Sequence, residues 1–191
     1  TEIDLKALPI DFISASAHKF HGPKGIGFAF IRKNSGLQPL LLGGEQEKGM
    51  RGGTESVYQI AGMAKALEMA YASLEVERAA ILDLKRYCVS QLAQVFPDSK
   101  IIGSENGFYN IINVVLPLPE DKAAMLLFHL DMKGIAVSRG SACQSGSSSA
   151  SHVLSEILSS DDLAKPSLRI SFSHYNTKED IDYLIEVLAA V

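Results

Sequence analysis

Apolar positions along the chain fall into three rhythms. DFISAS, from Asp11 to Ser16, and IGFAFI, from Ile26 to Ile31, are short apolar runs with GPKG between them as turn material, and they predict a strand, a loop and a strand. From Tyr58 to Phe96 there is no proline and Gly62 is the sole interior glycine, so helix is expected. Within that run Ile60, Ala64, Leu67, Tyr71 and Leu74 share one face, and Ile81, Leu84, Cys88, Leu92 and Val95 form a second stripe. A helical run of this length is expected to bend or break once and to bridge two domains.

Beyond Pro97 the rhythm alternates. NIINVVL (110–116), IAVS (135–138) and LRISF (168–172) predict strands, while DKAAMLLFHLDMK (121–133), SHVLSEIL (151–158) and EDIDYLIEVLAAV (179–191) predict helices. This is the signature of an α/β sandwich. Gly134 stands where a helix C-terminal cap belongs, and Thr177 precedes Asp180 by three residues, as in a capping box. The pattern divides the chain into segments 1–57, 58–96 (the connecting helical region) and 97–191 (a small α/β domain).

Composition narrows the function. A net charge of -4 over 191 residues argues against nucleic-acid binding, and Arg32 with Lys33 is too small a basic cluster to change that. Two cysteines, Cys88 and Cys143, exclude a disulfide framework and favour a reducing compartment. No apolar run approaches the roughly 18 residues of a membrane span, and no signal-peptide layout opens the chain. A soluble, cytoplasmic protein is expected, with no metal site. The opening TEIDLKALPID lacks an initiator methionine and reads like the middle of a domain, so a longer parent is expected.

Three stretches carry candidate chemistry. AHKFHGPKG is rich in cations and glycines but lacks the Walker pattern, since Gly22 and Gly25 are wrongly spaced and Lys24 has no Ser or Thr after it. On the residues alone it is either a solvated basic turn or a phosphate-facing loop in which Ser16 and His18 donate and Lys19 ends a buried strand. SRGSACQSGSSSAS, from Ser138 to Ser151, has seven serines and two glycines in fourteen residues, which suits a mobile loop, and Cys143 within it has no core to enter. Cys88, on an apolar helical stripe, reads instead as a small buried hydrophobe. In LRISF, Leu168, Ile170 and Phe172 alternate to one face, which turns Arg169 and Ser171 to the other.

SAHKFHGPKGIG, GGEQEKGMRGGTE, SRGSACQSG and SLRISFSHYNTKEDID, in this order, span nearly the whole chain. Together they resemble the class V aminotransferase family of fold-type I pyridoxal-phosphate enzymes, and within it the cysteine desulfurases of the NifS and IscS kind. The resemblance implies a PLP-dependent transferase fold, here a remnant of the large domain followed by the small α/β domain. It implies that Lys19 binds the aldehyde of pyridoxal 5'-phosphate and shuttles the substrate α-proton. Ser16 and His18 would hold the cofactor phosphate, and Thr54 would reach the phosphate in the partner subunit of a homodimer. Cys143 would take sulfur from L-cysteine, leaving L-alanine and an enzyme persulfide for an iron–sulfur scaffold or other sulfur-acceptor protein. Arg169 would anchor the substrate carboxylate, a task suited to the planar guanidinium fork.

The same resemblance implies an upstream half that carries the ring-stacking residue, the aspartate facing the pyridine nitrogen and further strands. The isolated chain is therefore expected to be inactive, with the first two strands partly exposed. Alternatives are a selenocysteine lyase, a class V aminotransferase with no use for Cys143, and a non-catalytic sulfur-carrier module.

Overall fold

The computed structural model describes residues 1–104, 107–139 and 151–191. The chain forms two compact units, Thr1–Leu74 and Glu75–Val191.

In the first unit, β1 (Phe12–Ser16) and β2 (Gly27–Ile31) pair antiparallel, from Phe12 opposite Ile31 to Ser16 opposite Gly27. The approach to β1 is organised by Arg32. Its Nε donates to the Ile10 carbonyl at 2.8 Å, and one Nη donates to the carbonyls of Leu5 and Leu8 at 2.8 and 2.9 Å. What the sequence shows as half of a small cationic pair is a clamp on the N-terminal backbone. The ribbon carries little apolar cover, with Phe12 51% exposed and Phe28 37% exposed, as anticipated for these strands. A two-residue bridge, Leu41 with Arg51, then closes the loop ahead of helix α1 (Val57–Ala72). No residue of α1 is fully buried, so the stripe of Ile60, Ala64 and Leu67 meets no core within this unit.

The expected break in the helical run falls at Ser73. Its N–H and its hydroxyl both donate to the Met69 carbonyl, at 3.2 and 3.0 Å, which is the serine back-bonding that competes with helix continuation. Helix α2 (Leu74–Val95) follows directly.

The second unit is built on an antiparallel sheet of order β3-β4-β5, with β3 Lys100–Ile102, β4 Ile111–Val115 and β5 Ser167–Ser171. Helices α3 (Glu120–Met132), α4 (His152–Ile157), α5 (Ser160–Ala164) and α6 (Lys178–Ala189) complete it. One core joins Cys88 and Leu92 of α2, Ile112 and Val114 of β4, Leu126 and Leu130 of α3, Leu168 and Ile170 of β5, and Leu184 and Leu188 of α6. Burial of this many aliphatic side chains, at roughly 1.5–3 kcal/mol each, is the main force holding the unit together. Val95, placed by its spacing on the α2 stripe, is instead 41% exposed at the helix end.

Local punctuation follows the sequence closely. Gly134 takes φ 76°, its N–H donates to Asp131 at 2.8 Å, and the Ile135 N–H donates to Leu130 at 2.9 Å, a complete Schellman ending for α3. Thr177 and Asp180 form a full capping box, with Asp180 N–H to Thr177 Oγ1 at 3.3 Å and Thr177 N–H to Asp180 Oδ2 at 3.0 Å. IAVS, in contrast, is not a strand. The Schellman turn consumes the Ile135 N–H, and only Ser138 pairs with the sheet, through Arg169.

Candidate active site

β1 delivers its last residue, Ser16, directly into a single 3-10 turn, Ala17–Phe20, which holds His18 and Lys19. Ala17 anchors the turn. Its side chain is fully buried, and its N–H donates to Ile26 at 3.0 Å across the ribbon. The turn closes through His21, in the left-handed region at φ 65°, and through Gly22, whose N–H donates to Ala17 at 2.8 Å. A Cβ on Gly22 would lie 2.9 Å from the Ala17 Cβ, so the residue must be glycine for the chain to return this closely.

Ala17 points inward, and Ser16, His18 and Lys19 are left exposed together on a few residues of backbone. Among the described residues, none of their side chains is engaged in a hydrogen bond or ion pair. A hydroxyl, an imidazole and an amine stand within four residues of one another at a turn whose first residues include no acid. That donor set suits an anionic ligand such as the phosphate of pyridoxal phosphate, and the free amine suits its aldehyde.

Thr54 belongs to the same unit and is exposed just ahead of α1. Arg169 belongs to the second unit, in the middle of β5, opposite Asn113 of β4. On its other side it exchanges two backbone hydrogen bonds with Ser138. Its side chain is half-buried, and the Nε is a buried nitrogen without a hydrogen-bond partner among the described residues. An orphaned guanidinium nitrogen of this kind is the feature a bound carboxylate would satisfy. Cys143 lies outside the described residues. Cys88 sits fully buried in the core, where desolvation pushes its thiol up to about 12, so the role of an inert core residue fits it.

The family model described as Aminotransferase class-V matches residues 1–184. The chain belongs to the class-V aminotransferase family. It is 40% identical over 190 residues to the cysteine desulfurase IscS of Dictyoglomus turgidum, covering 99% of this chain and 48% of that one. A solved NifS-like protein aligns with a TM-score of 0.83 at 34% identity, over 97% of this chain and 47% of its own. SspA in complex with cysteine aligns at 0.62 and 30% identity, over 92% of this chain and 47% of its own. The chain thus spans about half the length of the curated relatives it matches. Its class-V membership accounts for the mixed α/β architecture.

One contact beside Thr54 follows no sequence pattern: the Gly53 N–H donates to the Gln46 Oε1 at 3.1 Å. Gln46 has no charge, lies in no periodic element and is masked by the glycine-rich composition around it. The only available signal was the pair of double glycines, Gly43–Gly44 and Gly52–Gly53, which bracket it and allow the loop backbone to close on itself.

Proposed function

We propose that this chain carries the lysine, thiol and carboxylate-binding elements of a pyridoxal-phosphate-dependent L-cysteine desulfurase. The observation that carries the reading is the turn after β1, where Ser16, His18 and an unengaged Lys19 are presented together. Identity of 40% to a cysteine desulfurase along almost the whole chain, and likeness to a protein solved with cysteine, support the choice of substrate.

Pyridoxal phosphate, when bound, supplies an electron sink adjacent to the substrate α-carbon. The residues supply the rest. Ser16 and His18 hold the phosphate, and Lys19 fixes the aldehyde and moves the α-proton. Arg169 receives the substrate carboxylate on its guanidinium and so orients the substrate sulfur. Cys143 Sγ, as thiolate, bonds to that sulfur. The substrate C–S bond breaks with its electron pair on carbon, which takes a proton, and the products are L-alanine and a Cys143 persulfide.

The persulfide then passes to a sulfur-acceptor or iron–sulfur scaffold protein. A homodimer lets Thr54 serve the neighbouring subunit's site, and a reducing, cytoplasmic setting keeps Cys143 a thiol. The test uses the full-length protein, since the isolated chain is expected to be inactive: absorbance with added pyridoxal phosphate, borohydride reduction and mapping of the labelled lysine, together with alanine release from L-cysteine. Label at Lys19 and loss of alanine release in Cys143→Ala are expected. Label elsewhere, or a Cys143→Ala variant that keeps full desulfuration, contradicts the proposal.

A further inference from the structure

The loop from Leu41 to Glu55 is tied across at its base and again at its tip. At the base, Leu41 bridges Arg51, and the Gly52 N–H donates to the Leu41 carbonyl at 3.0 Å. At the tip, the Gly53 N–H donates to the Gln46 Oε1 at 3.1 Å, and the Glu47 N–H donates to the Glu55 Oε1 at 3.4 Å. Both chain neighbours of Thr54 are therefore fastened to the opposite side of the loop, while Thr54 itself is exposed and, among the described residues, has no hydrogen-bond partner.

The clasp constrains its surroundings. Glu47 and Lys48 are both left-handed, at φ 52° and 58°, a conformation that non-glycine residues adopt only when their surroundings hold them there. The Gln46 carboxamide folds back over Gly44, where a Cβ would run into it. Gly53 sits at φ 115°, which leaves its N–H aimed at Gln46.

We propose that Gln46 is a positioning residue: its carboxamide, accommodated by Gly44, fixes the Gly53 peptide and thereby aims the Thr54 hydroxyl at a cofactor phosphate. This rests on the reading of Thr54 as a phosphate contact. A carboxylate at position 46 keeps the acceptor oxygen, whereas leucine removes it at similar size. Alanine at position 44 displaces the flexible carboxamide without demanding a new backbone conformation.

The experiment compares pyridoxal phosphate with unphosphorylated pyridoxal as ligands for the protein and for Thr54→Val, Gln46→Leu, Gly44→Ala and Gln46→Glu, and it follows exchange of the Gly53 amide in parallel. Thr54→Val is expected to weaken pyridoxal phosphate about tenfold and to leave pyridoxal unchanged. Gln46→Leu and Gly44→Ala are expected to show the same selective loss with faster Gly53 exchange, while Gln46→Glu stays within about twofold of the parent. If Thr54→Val loses phosphate affinity and Gln46→Leu and Gly44→Ala do not, the positioning role is overturned while the Thr54 contact stands. If Thr54→Val changes nothing, the phosphate reading of Thr54 fails and takes the proposal with it.

Discussion

Ser138 and Arg169 exchange backbone hydrogen bonds in both directions, Arg169 N–H to Ser138 at 2.7 Å and Ser138 N–H to Arg169 at 3.1 Å. Arg169 is thus held by its main chain, and its side chain can be changed without dissolving the pairing. In the full-length protein, the proposed carboxylate role predicts that Arg169→Met raises KM for L-cysteine roughly ten- to a hundredfold, the loss that follows removal of charge-assisted hydrogen bonds. Arg169→Lys restores only part, because an ammonium lacks the planar fork. Steady-state kinetics, with thermal melting to show the fold intact, checks this, and an unchanged KM contradicts the carboxylate role.

Asp162, 6% exposed, joins two distant parts of the second unit. It accepts from Lys100 at 2.6 Å, from Ser159 at 3.0 Å and from Lys165 at 3.3 Å. The Lys100 and Ser159 bonds hold its carboxyl at about 2, below the ordinary 3.8, although burial pulls the other way. A carboxyl depressed on folding stabilises the folded state above its unfolded value, and that contribution fades as pH falls from 3.8 through about 2. Denaturant titrations across this window are expected to show a steeper loss of stability for the parent than for Asp162→Asn, which forfeits the contribution at every pH.

These two relationships show what one sequence makes legible. Rules that act over three or four residues read through to the structure: Gly134 ends α3, Thr177 caps α6, and the apolar runs of β4 and β5 pair as strands. Strand β3 did not read through, because KII is too short to show a period and is placed by its partner Val115 and by the Lys100–Asp162 pair, 62 residues apart. IAVS has strand composition, but its first N–H is committed to the helix cap. In the candidate site, the order of Ser16, His18 and Lys19 was legible because it is contiguous. The carbonyls gathered by Arg32 and the Gly53 peptide held by Gln46 were not, since neither contact follows a repeat.

The two thiols should separate cleanly. Burial pushes Cys88 up to about 12, so almost none of it is thiolate at neutral pH. Brief alkylation of the native protein followed by peptide mapping is expected to label Cys143 and spare Cys88, with Cys88 reacting only after denaturant is added. Early labelling of Cys88 contradicts its burial in the core.

The capping box at α6 offers a stability test away from the candidate site. Thr177→Ala removes the acceptor for the Asp180 N–H and is expected to cost about 1 kcal/mol in chemical denaturation, whereas Thr177→Ser keeps most of it. Equal stabilities of the alanine and serine variants contradict the assigned cap.

Among the described residues, Ala17 is the one buried apolar side chain of the first unit, and it belongs to the turn that bears Lys19. A two-stranded ribbon with so little interior draws little stability from its own side chains. Any molecule that binds the ordered turn and ignores the disordered one therefore stabilises the unit by mass action. A ligand that orders this stretch binds more weakly by the free energy of ordering it.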